Sequence, residues 1–210
     1  MPMYKIFFID TLTTGMNVEK CSIYRIGGIY TENGIEKFRF EFRMRPFINA
    51  RINEQSIWIS GESRQSLIDY ESESDAFGHF IEMLDSVIEL RNPKDKAYIA
   101  GFNAASFDML FLREWFRRNG NERFRDYFHV QVIDTMSLSA FALLPTRADM
   151  PDFHLNNTAR FLGIDVYPGA GYNCTDNAKL SLDIFRHLQT RFGLSECMDE
   201  TESTEFRKNF

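Results

Sequence analysis

Three apolar segments at the start of the chain have the length and composition of β-strands. Residues 4–10 form a nearly continuous apolar run, which is typical of a buried strand. Ser22–Tyr30 and Ile35–Met44 flank the dipeptide Asn33-Gly34, which strongly favours a two-residue hairpin turn. In Ile35–Met44, phenylalanines alternate with charged residues, so one face is expected to be buried and the other to contact solvent. These segments predict three antiparallel strands.

The remainder of the chain alternates between helical and strand patterns. The predicted elements are helices at about residues 53–59, 74–90 and 106–118, strands at Ala97–Gly101 and His129–Ile133, a helix capped by Asp134, and a last helix at about residues 175–192. Antiparallel strands followed by alternating helices and strands predict an α/β fold, with a mixed central sheet of about five strands and helices on both faces.

The length of the chain bounds its organisation. With 210 residues, of which 44% are hydrophobic, it is most simply one domain with a sizeable core. We place the domain at residues 1–193. Residues 194–210 are rich in charge, and we expect them to form a mobile tail outside the domain.

Charge and cysteine usage exclude several classes of protein. A net charge of −6 argues against a protein that binds long duplex DNA over its whole surface. Three widely spaced cysteines suggest neither a disulfide framework nor a zinc site and favour the cytoplasm. No membrane span or secretion signal is expected. Basic residues do cluster between Arg113 and Arg125, where a solvated helix face is favoured over a nucleic-acid patch.

Candidate chemistry begins in the first strand, which reads YKIFFIDTLTTG. Asp10 is followed by Leu12, and then by Thr13, Thr14 and Gly15. The segment resembles the first motif of the DnaQ-like (RNase T-like, DEDDh) 3′–5′ exonucleases, whose pattern is Asp-x-Glu-Thr-Thr-Gly. The resemblance therefore fails at one position, where an aliphatic residue replaces the glutamate.

Other segments extend this resemblance over about residues 4–190. The stretch GFNAASFDMLFL resembles the second exonuclease motif, with Asn103, Phe107 and Asp108 in the usual positions. The segments at 43–61, 132–138 and 154–164 resemble framework regions of the same family. Single short motifs are weak, but five in the right order are strong together. The resemblance implies the RNase H-like exonuclease fold.

The family resemblance also implies a site. In these enzymes four carboxylates hold two divalent metal ions, Mg²⁺ or Mn²⁺, and a histidine is the general base. Two such cations activate the water and neutralise charge on the phosphorus. Asp10 and Asp108 are the metal ligands that carry over. The implied nucleic-acid contacts fall on Thr13, Thr14, Gly15, Asn103 and Phe107, whereas Asp134 is expected to cap a helix.

The third motif can be aligned in two registers. Without a gap, Tyr172 falls at the histidine position and Asn177 at the aspartate position. The alternative pairs Tyr172 with Asp176, as in the related DEDDy exonucleases. A buried stripe is predicted along Cys174, Ala178, Ser181, Phe185, Leu188 and Phe192. Asn177 lies near this stripe and Asp176 lies away from it, so helix phase favours the first register.

In that register, Leu12, Tyr172 and Asn177 replace three of the five catalytic groups. Leucine binds no metal, and tyrosine is a poor general base near neutral pH. We therefore expect a catalytically impaired exonuclease that binds at most one cation, weakly, and that retains a cleft for a single-stranded DNA or RNA 3′ end. The alternatives are an active nuclease using Asp10, Asp108, Tyr172 and Asp176, or an interaction protein with an unknown protein partner.

Overall fold

A five-stranded mixed sheet forms the centre of the molecule. The computed structural model describes residues 4–194. The strands are β1 (Lys5–Thr13), β2 (Ile23–Glu32), β3 (Ile35–Arg43), β4 (Ala97–Gly101) and β5 (Phe128–Asp134). They lie in the order β3-β2-β1-β4-β5. β1 is antiparallel to β2 and parallel to β4, so it lies where the two halves of the sheet meet.

Helices connect and cover these strands. They are α1 (Glu54–Trp58), α2 (Arg64–Ile68), α3 (Glu73–Val87), α4 (Asp108–Arg118), α5 (Phe124–Tyr127), α6 (Thr135–Ala142), α7 (Leu155–Phe161) and α8 (Cys174–Arg191). A 3₁₀ helix spans Leu144–Asp149. None of the described helices combines the length and the apolar character that crossing a membrane would require.

The two faces of β1 bury different cores. Phe7 and Ile9 belong to a large aromatic core that includes side chains of α3 and α4, among them Phe80 and Trp115. Ile6 and Phe8 point to the other face and pack with residues of α8. This alternation follows from the two-residue period of a strand. It directs Asp10, the next even-numbered residue, towards α8.

Helix α8 approaches the sheet closely at Gly27. A β-carbon added to Gly27 would lie 2.8 Å from the Cys174 Cβ and 3.1 Å from the Thr175 Oγ1. Gly27 is also the cross-strand partner of Asp10. The absence of a side chain at this position therefore allows the first turn of α8 to lie directly beside Asp10.

The structure corrects several details of the predicted elements. β1 does not end at Asp10 but continues to Thr13, with a register shift between Leu12 and Thr13. α8 is buried over more than the predicted stripe because it also packs on α6 and α7, whereas Phe192 is 40% exposed. The short helices α2, α5 and α7 were not predicted. Residues 195–210 of the expected tail lie outside the described residues.

The close approach at Gly27 predicts a specific sensitivity. Gly27→Ala should lower the free energy of unfolding by about 1–3 kcal/mol, because the new methyl group would overlap α8. Gly78→Ala is the matched control, since a β-carbon at Gly78 in α3 would meet no atom within 4 Å. Gly78→Ala should raise the free energy of unfolding by about 0.5–1 kcal/mol. Urea titrations of both variants measure the effect, and equal effects of the two substitutions would contradict this packing.

Candidate active site

Two carboxylates lie at the carboxyl end of the central strands. Asp10 is near the end of β1, and Asp108 is the first residue of α4. One Asp108 oxygen accepts hydrogen bonds from the backbone nitrogen of Thr11 at 2.8 Å and from its hydroxyl at 2.6 Å. These bonds attach the start of α4 to β1 directly beside Asp10. Both predicted metal ligands therefore lie in one region.

Burial disfavours the charged forms of both carboxyl groups. Burial first, and then the charge of Asp108, raises the pKa of Asp10 well above its usual range, although hydrogen bonds from Asn177 and Cys174 oppose the change. Burial also raises the pKa of Asp108 to about 6, against the hydrogen bonds from Thr11. Two buried acids next to each other resist simultaneous ionisation, which a cation or a hydrogen-bond donor can offset.

Asn177 supplies such a donor. Its side-chain nitrogen donates to an Asp10 carboxylate oxygen at 3.1 Å. Its side-chain oxygen accepts from the backbone nitrogen of Gly171 at 2.6 Å. Asn177 is 7% exposed, so both polar ends of the amide are used within the protein. The asparagine therefore connects β1 to the loop before α8.

Asp176 and Tyr172 make contacts away from the two carboxylates. A carboxylate oxygen of Asp176 packs against Gly169, where an added β-carbon would come within 2.1 Å of it. The backbone nitrogen of Asp176 donates to the Asn173 side chain, which caps α8. Tyr172 is 49% exposed, and its hydroxyl donates to the Pro168 carbonyl. Of the two alternative residues for the third motif, Asn177 is the one that contacts Asp10.

Leu12 belongs to a small apolar cluster rather than to a polar site. It packs against the cluster formed by Tyr24, Ile57 and Leu67, which joins β2 to α1 and α2. Because residues alternate along a strand, Leu12 shares its face of β1 with Asp10. The side chain at position 12 is therefore apolar and offers no ligand to a metal ion.

The Thr-Thr-Gly turn holds the end of β1 in place. Thr14 is fully buried, and its hydroxyl donates to the Arg51 carbonyl at 2.7 Å and accepts from the Ser22 nitrogen at 2.9 Å. The Thr13 hydroxyl donates to the Gly15 carbonyl at 2.8 Å. These hydrogen bonds give Thr13 and Thr14 a structural role in the turn. Nucleic-acid contacts at Thr13, Thr14 and Gly15 stay predictions.

The loop after β4 is organised by Asp134. The Asp134 carboxylate accepts from the backbone nitrogens of Asn103 and Ala105, and from two nitrogens at the start of α6. The prediction that Asp134 caps a helix is confirmed. Asn103 has a φ of 64°, a left-handed conformation that asparagine tolerates better than most residues. Phe107 precedes α4, and its ring lies 5.0 Å from the ring of Phe111 at a tilted angle of 51°. Nucleic-acid contacts at Asn103 and Phe107 stay predictions.

The arginines of α4 and α5 are mostly paired. Arg117 binds Glu114 at 2.6 Å, Arg118 lies 3.3 Å from Glu73, and Arg123 lies 3.4 Å from Asp126. Such pairing removes much of the positive charge that a nucleic-acid patch would need. The arrangement favours the structural interpretation of these arginines.

Cys174 was predicted to be buried, but its position beside Asp10 was not predicted. Cys174 is fully buried, with its sulfur 3.8 Å from the Arg25 carbonyl, and it hydrogen-bonds to Asp10. Burial and the negative charge of Asp10 raise the pKa of the Cys174 thiol. The signal was available, because Cys174 precedes Asn177 by three residues and therefore shares its helix face.

The donor set does not fit a two-metal centre. Within residues 4–194, no group of three or more His, Cys, Asp or Glu side chains is arranged to hold a metal ion. Mg²⁺ prefers six oxygen ligands in near-octahedral geometry. Here Asp10 and Asp108 are the acids, the Asn177 amide directs its nitrogen to Asp10, and Leu12 is apolar. These residues could at most share one cation.

The chain belongs to the exonuclease (RNase T) family, whose sequence profile matches residues 7–167. The DnaQ-like family resemblance is thereby confirmed. The match ends before Tyr172, so it does not include the third motif. A search of curated proteins gave no significant match.

Solved structures agree on the fold. Escherichia coli exonuclease I in a zinc-bound complex with single-stranded DNA is 19% identical, with a TM-score of 0.70 over 92% of this chain. The same enzyme with a dT13 oligonucleotide is 19% identical, with a TM-score of 0.70 over 90% of this chain. Exonuclease I of Methylocaldum szegediense is 16% identical, with a TM-score of 0.72 over 90% of this chain. The predicted RNase H-like exonuclease fold is confirmed.

The chain spans less than half of the length of these neighbours. It covers 42%, 42% and 41% of the three chains. At this level of identity, the likeness extends to the fold and not to the activity.

The raised pKa of Asp108 predicts a pH-dependent effect on stability. The neutral form stabilises the folded protein, and this contribution is fully present below about pH 4 and is lost as the pH rises through about 6. Asp108→Asn keeps an acceptor for Thr11 but stays neutral. In EDTA at pH 7.5, this variant should be more stable than the wild type by on the order of 1–3 kcal/mol.

Urea unfolding at pH 4 and pH 7.5 tests the effect, and the difference should shrink at pH 4. Asp149→Asn, on the exposed surface, is the matched control and should change little at either pH. A gain for Asp108→Asn that is equal at both pH values would contradict the raised pKa.

Proposed function

We propose that this chain is a catalytically impaired exonuclease domain that binds the 3′ end of single-stranded DNA or RNA. The observation that carries the proposal is the Asn177 amide, which donates to Asp10 at 3.1 Å where the family has a metal-binding carboxylate. An amide in that role neutralises part of the repulsion between Asp10 and Asp108 without a metal ion. Leu12 removes a further ligand, and the impairment follows from both changes.

The absence of a general base supports the same proposal. Tyr172 stands at the family's histidine position, and its hydroxyl is engaged with the Pro168 carbonyl. A tyrosine hydroxyl is a poor general base for a water molecule at neutral pH. The alternative active nuclease would need Tyr172 and Asp176 together, and neither contacts Asp10 or Asp108 in the described residues.

Single-stranded nucleic acid is the proposed ligand because of fold and charge. Two of the neighbours are exonuclease I bound to single-stranded DNA. A net charge of −6 and paired arginines suit a short 3′ end better than a long duplex. The buried Cys21 and Cys174 are free thiols, which agrees with the cytoplasm as the proposed location. The alternative ligand on the same fold is an unknown protein partner.

A nuclease assay tests the proposal directly. The purified chain is incubated with 5′-labelled single-stranded DNA or RNA, with Mg²⁺ or Mn²⁺, beside Asp10→Ala. We expect no degradation above the Asp10→Ala background, because the two-metal arrangement is incomplete. The combined variant Leu12→Glu, Tyr172→His and Asn177→Asp, in which the buried ion pair of Arg25 and Glu62 is also replaced by Arg25→Gln and Glu62→Gln, should gain measurable 3′–5′ degradation. Robust wild-type activity that disappears in Asp10→Ala would refute the impairment.

Binding is measured separately from cleavage. Fluorescence anisotropy with a short labelled single strand should show binding that weakens as salt rises, because phosphate contacts release counterions. An oligonucleotide with a 3′-phosphate is the matched control and should bind less well if the free 3′ end enters the cleft. Absence of binding at low salt would favour the interaction protein instead.

A further inference from the structure

A buried charged network lies beside the proposed site and takes no part in the chemistry described above. Arg25 of β2 is 6% exposed, and its guanidinium binds the Glu62 carboxylate at 2.5 Å. Ser66 donates to the other oxygen of Glu62 at 2.6 Å, and the Tyr70 hydroxyl also donates to Glu62. Burial opposes the charge on Glu62, but these bonds and Arg25 outweigh it, so the pKa of Glu62 is lowered. Glu62 is therefore ionised and forms an ion pair with Arg25.

Arg25 is the direct cross-strand neighbour of Leu12. The register of β1 and β2 pairs Leu12 with Arg25, as it pairs Asp10 with Gly27. Directly opposite residues of antiparallel strands point to the same face, with β-carbons about 4.5–5.5 Å apart. The guanidinium therefore belongs to the same face of the sheet as Asp10 and Leu12.

Arg25 also carries an unused donor. Its Nε is buried and has no hydrogen-bond partner within the part of the chain that the structure describes. A buried donor without a partner costs about 1–3 kcal/mol, so any acceptor brought within reach would be bound strongly. The present neighbour, Leu12, offers no acceptor.

We infer that Arg25 would capture a carboxylate at position 12, so that restoring the missing glutamate alone does not rebuild a metal site. This inference rests on the proposed loss of the metal centre and assigns a second cause to it. Two cations would compete for a glutamate introduced at position 12: the Arg25 guanidinium, and a metal ion that must lose bound water before it can bind the carboxylate. Arg25 is always charged and already in place, and Mg²⁺ gives up its water reluctantly. The ion pair is the outcome that the geometry favours.

Mn²⁺ affinity, measured by isothermal titration calorimetry, tests the inference without any activity assay. Leu12→Glu alone should bind Mn²⁺ within about twofold of the wild type, since its carboxylate is occupied by Arg25. Leu12→Glu combined with Arg25→Gln and Glu62→Gln should bind Mn²⁺ about tenfold tighter than the wild type, because the carboxylate at position 12 no longer pairs with Arg25. Arg25→Gln with Glu62→Gln, in the Leu12 background, should stay within about twofold of the wild type.

A second charged pair provides a matched control. Arg123 lies 3.4 Å from Asp126, and more than half of each side chain is exposed. Arg123→Gln with Asp126→Asn, added to Leu12→Glu, should leave Mn²⁺ affinity unchanged, because this exposed pair lies beside Tyr127 of α5 and not beside position 12. An equal gain from both pairs would overturn the role of Arg25.

The buried pair is changed in both members, because removing one alone would leave an uncompensated charge. A crystal structure of Leu12→Glu with the pair intact gives a second readout that does not depend on how the paired variant folds. It should show the new carboxylate on the Arg25 guanidinium. Tight Mn²⁺ binding by Leu12→Glu alone, or a carboxylate directed to Asp10, would overturn the inference. Tight binding of two cations by the wild type would instead refute the proposed function.

Discussion

The contact between Asn177 and Asp10 is the interaction on which the site depends. It joins the central strand to the first turn of α8, and it is possible because Gly27 lets that helix approach the sheet. Asp10 is buried, and this burial together with the charge of Asp108 raises its pKa. The Asn177 amide relieves this situation by donating a hydrogen bond to Asp10 without a metal ion.

Much of the fold could be predicted from the sequence because local patterns and pairing rules agree. The Asn33-Gly34 turn fixes the hairpin of β2 and β3, and Asp134 caps α6 through two backbone nitrogens. The helices α2, α5 and α7 were missed, since segments of 5, 4 and 7 residues carry too little periodicity to distinguish them from loops. The extension of β1 to Thr13 was missed because a Thr-Thr-Gly sequence suggests a turn, whereas pairing with β2 continues past Leu12.

The candidate site was predicted less completely, because several of its contacts join residues that are far apart in the sequence. Helix phase indicated that Asn177 rather than Asp176 faces inward, and Asn177 contacts Asp10. No local pattern could show that Glu62 reaches Arg25, because 37 residues separate them along the chain. Nor could it show that Leu12 packs on Tyr24, Ile57 and Leu67. The predicted stripe of α8 was too narrow, since a helix covered on two sides buries more than one face.

The proposed function depends on two side chains, the apolar Leu12 and the amide of Asn177, which donates to Asp10. The most direct measurement is the anomalous difference density of a crystal grown with millimolar Mn²⁺ and without chelators. We expect no pair of ordered cations at Asp10, and at most one weak peak between Asp10 and Asp108. Two well-ordered cations bridged by Asp10, with Asn177 or Asp176 as a direct ligand, would contradict the proposed function.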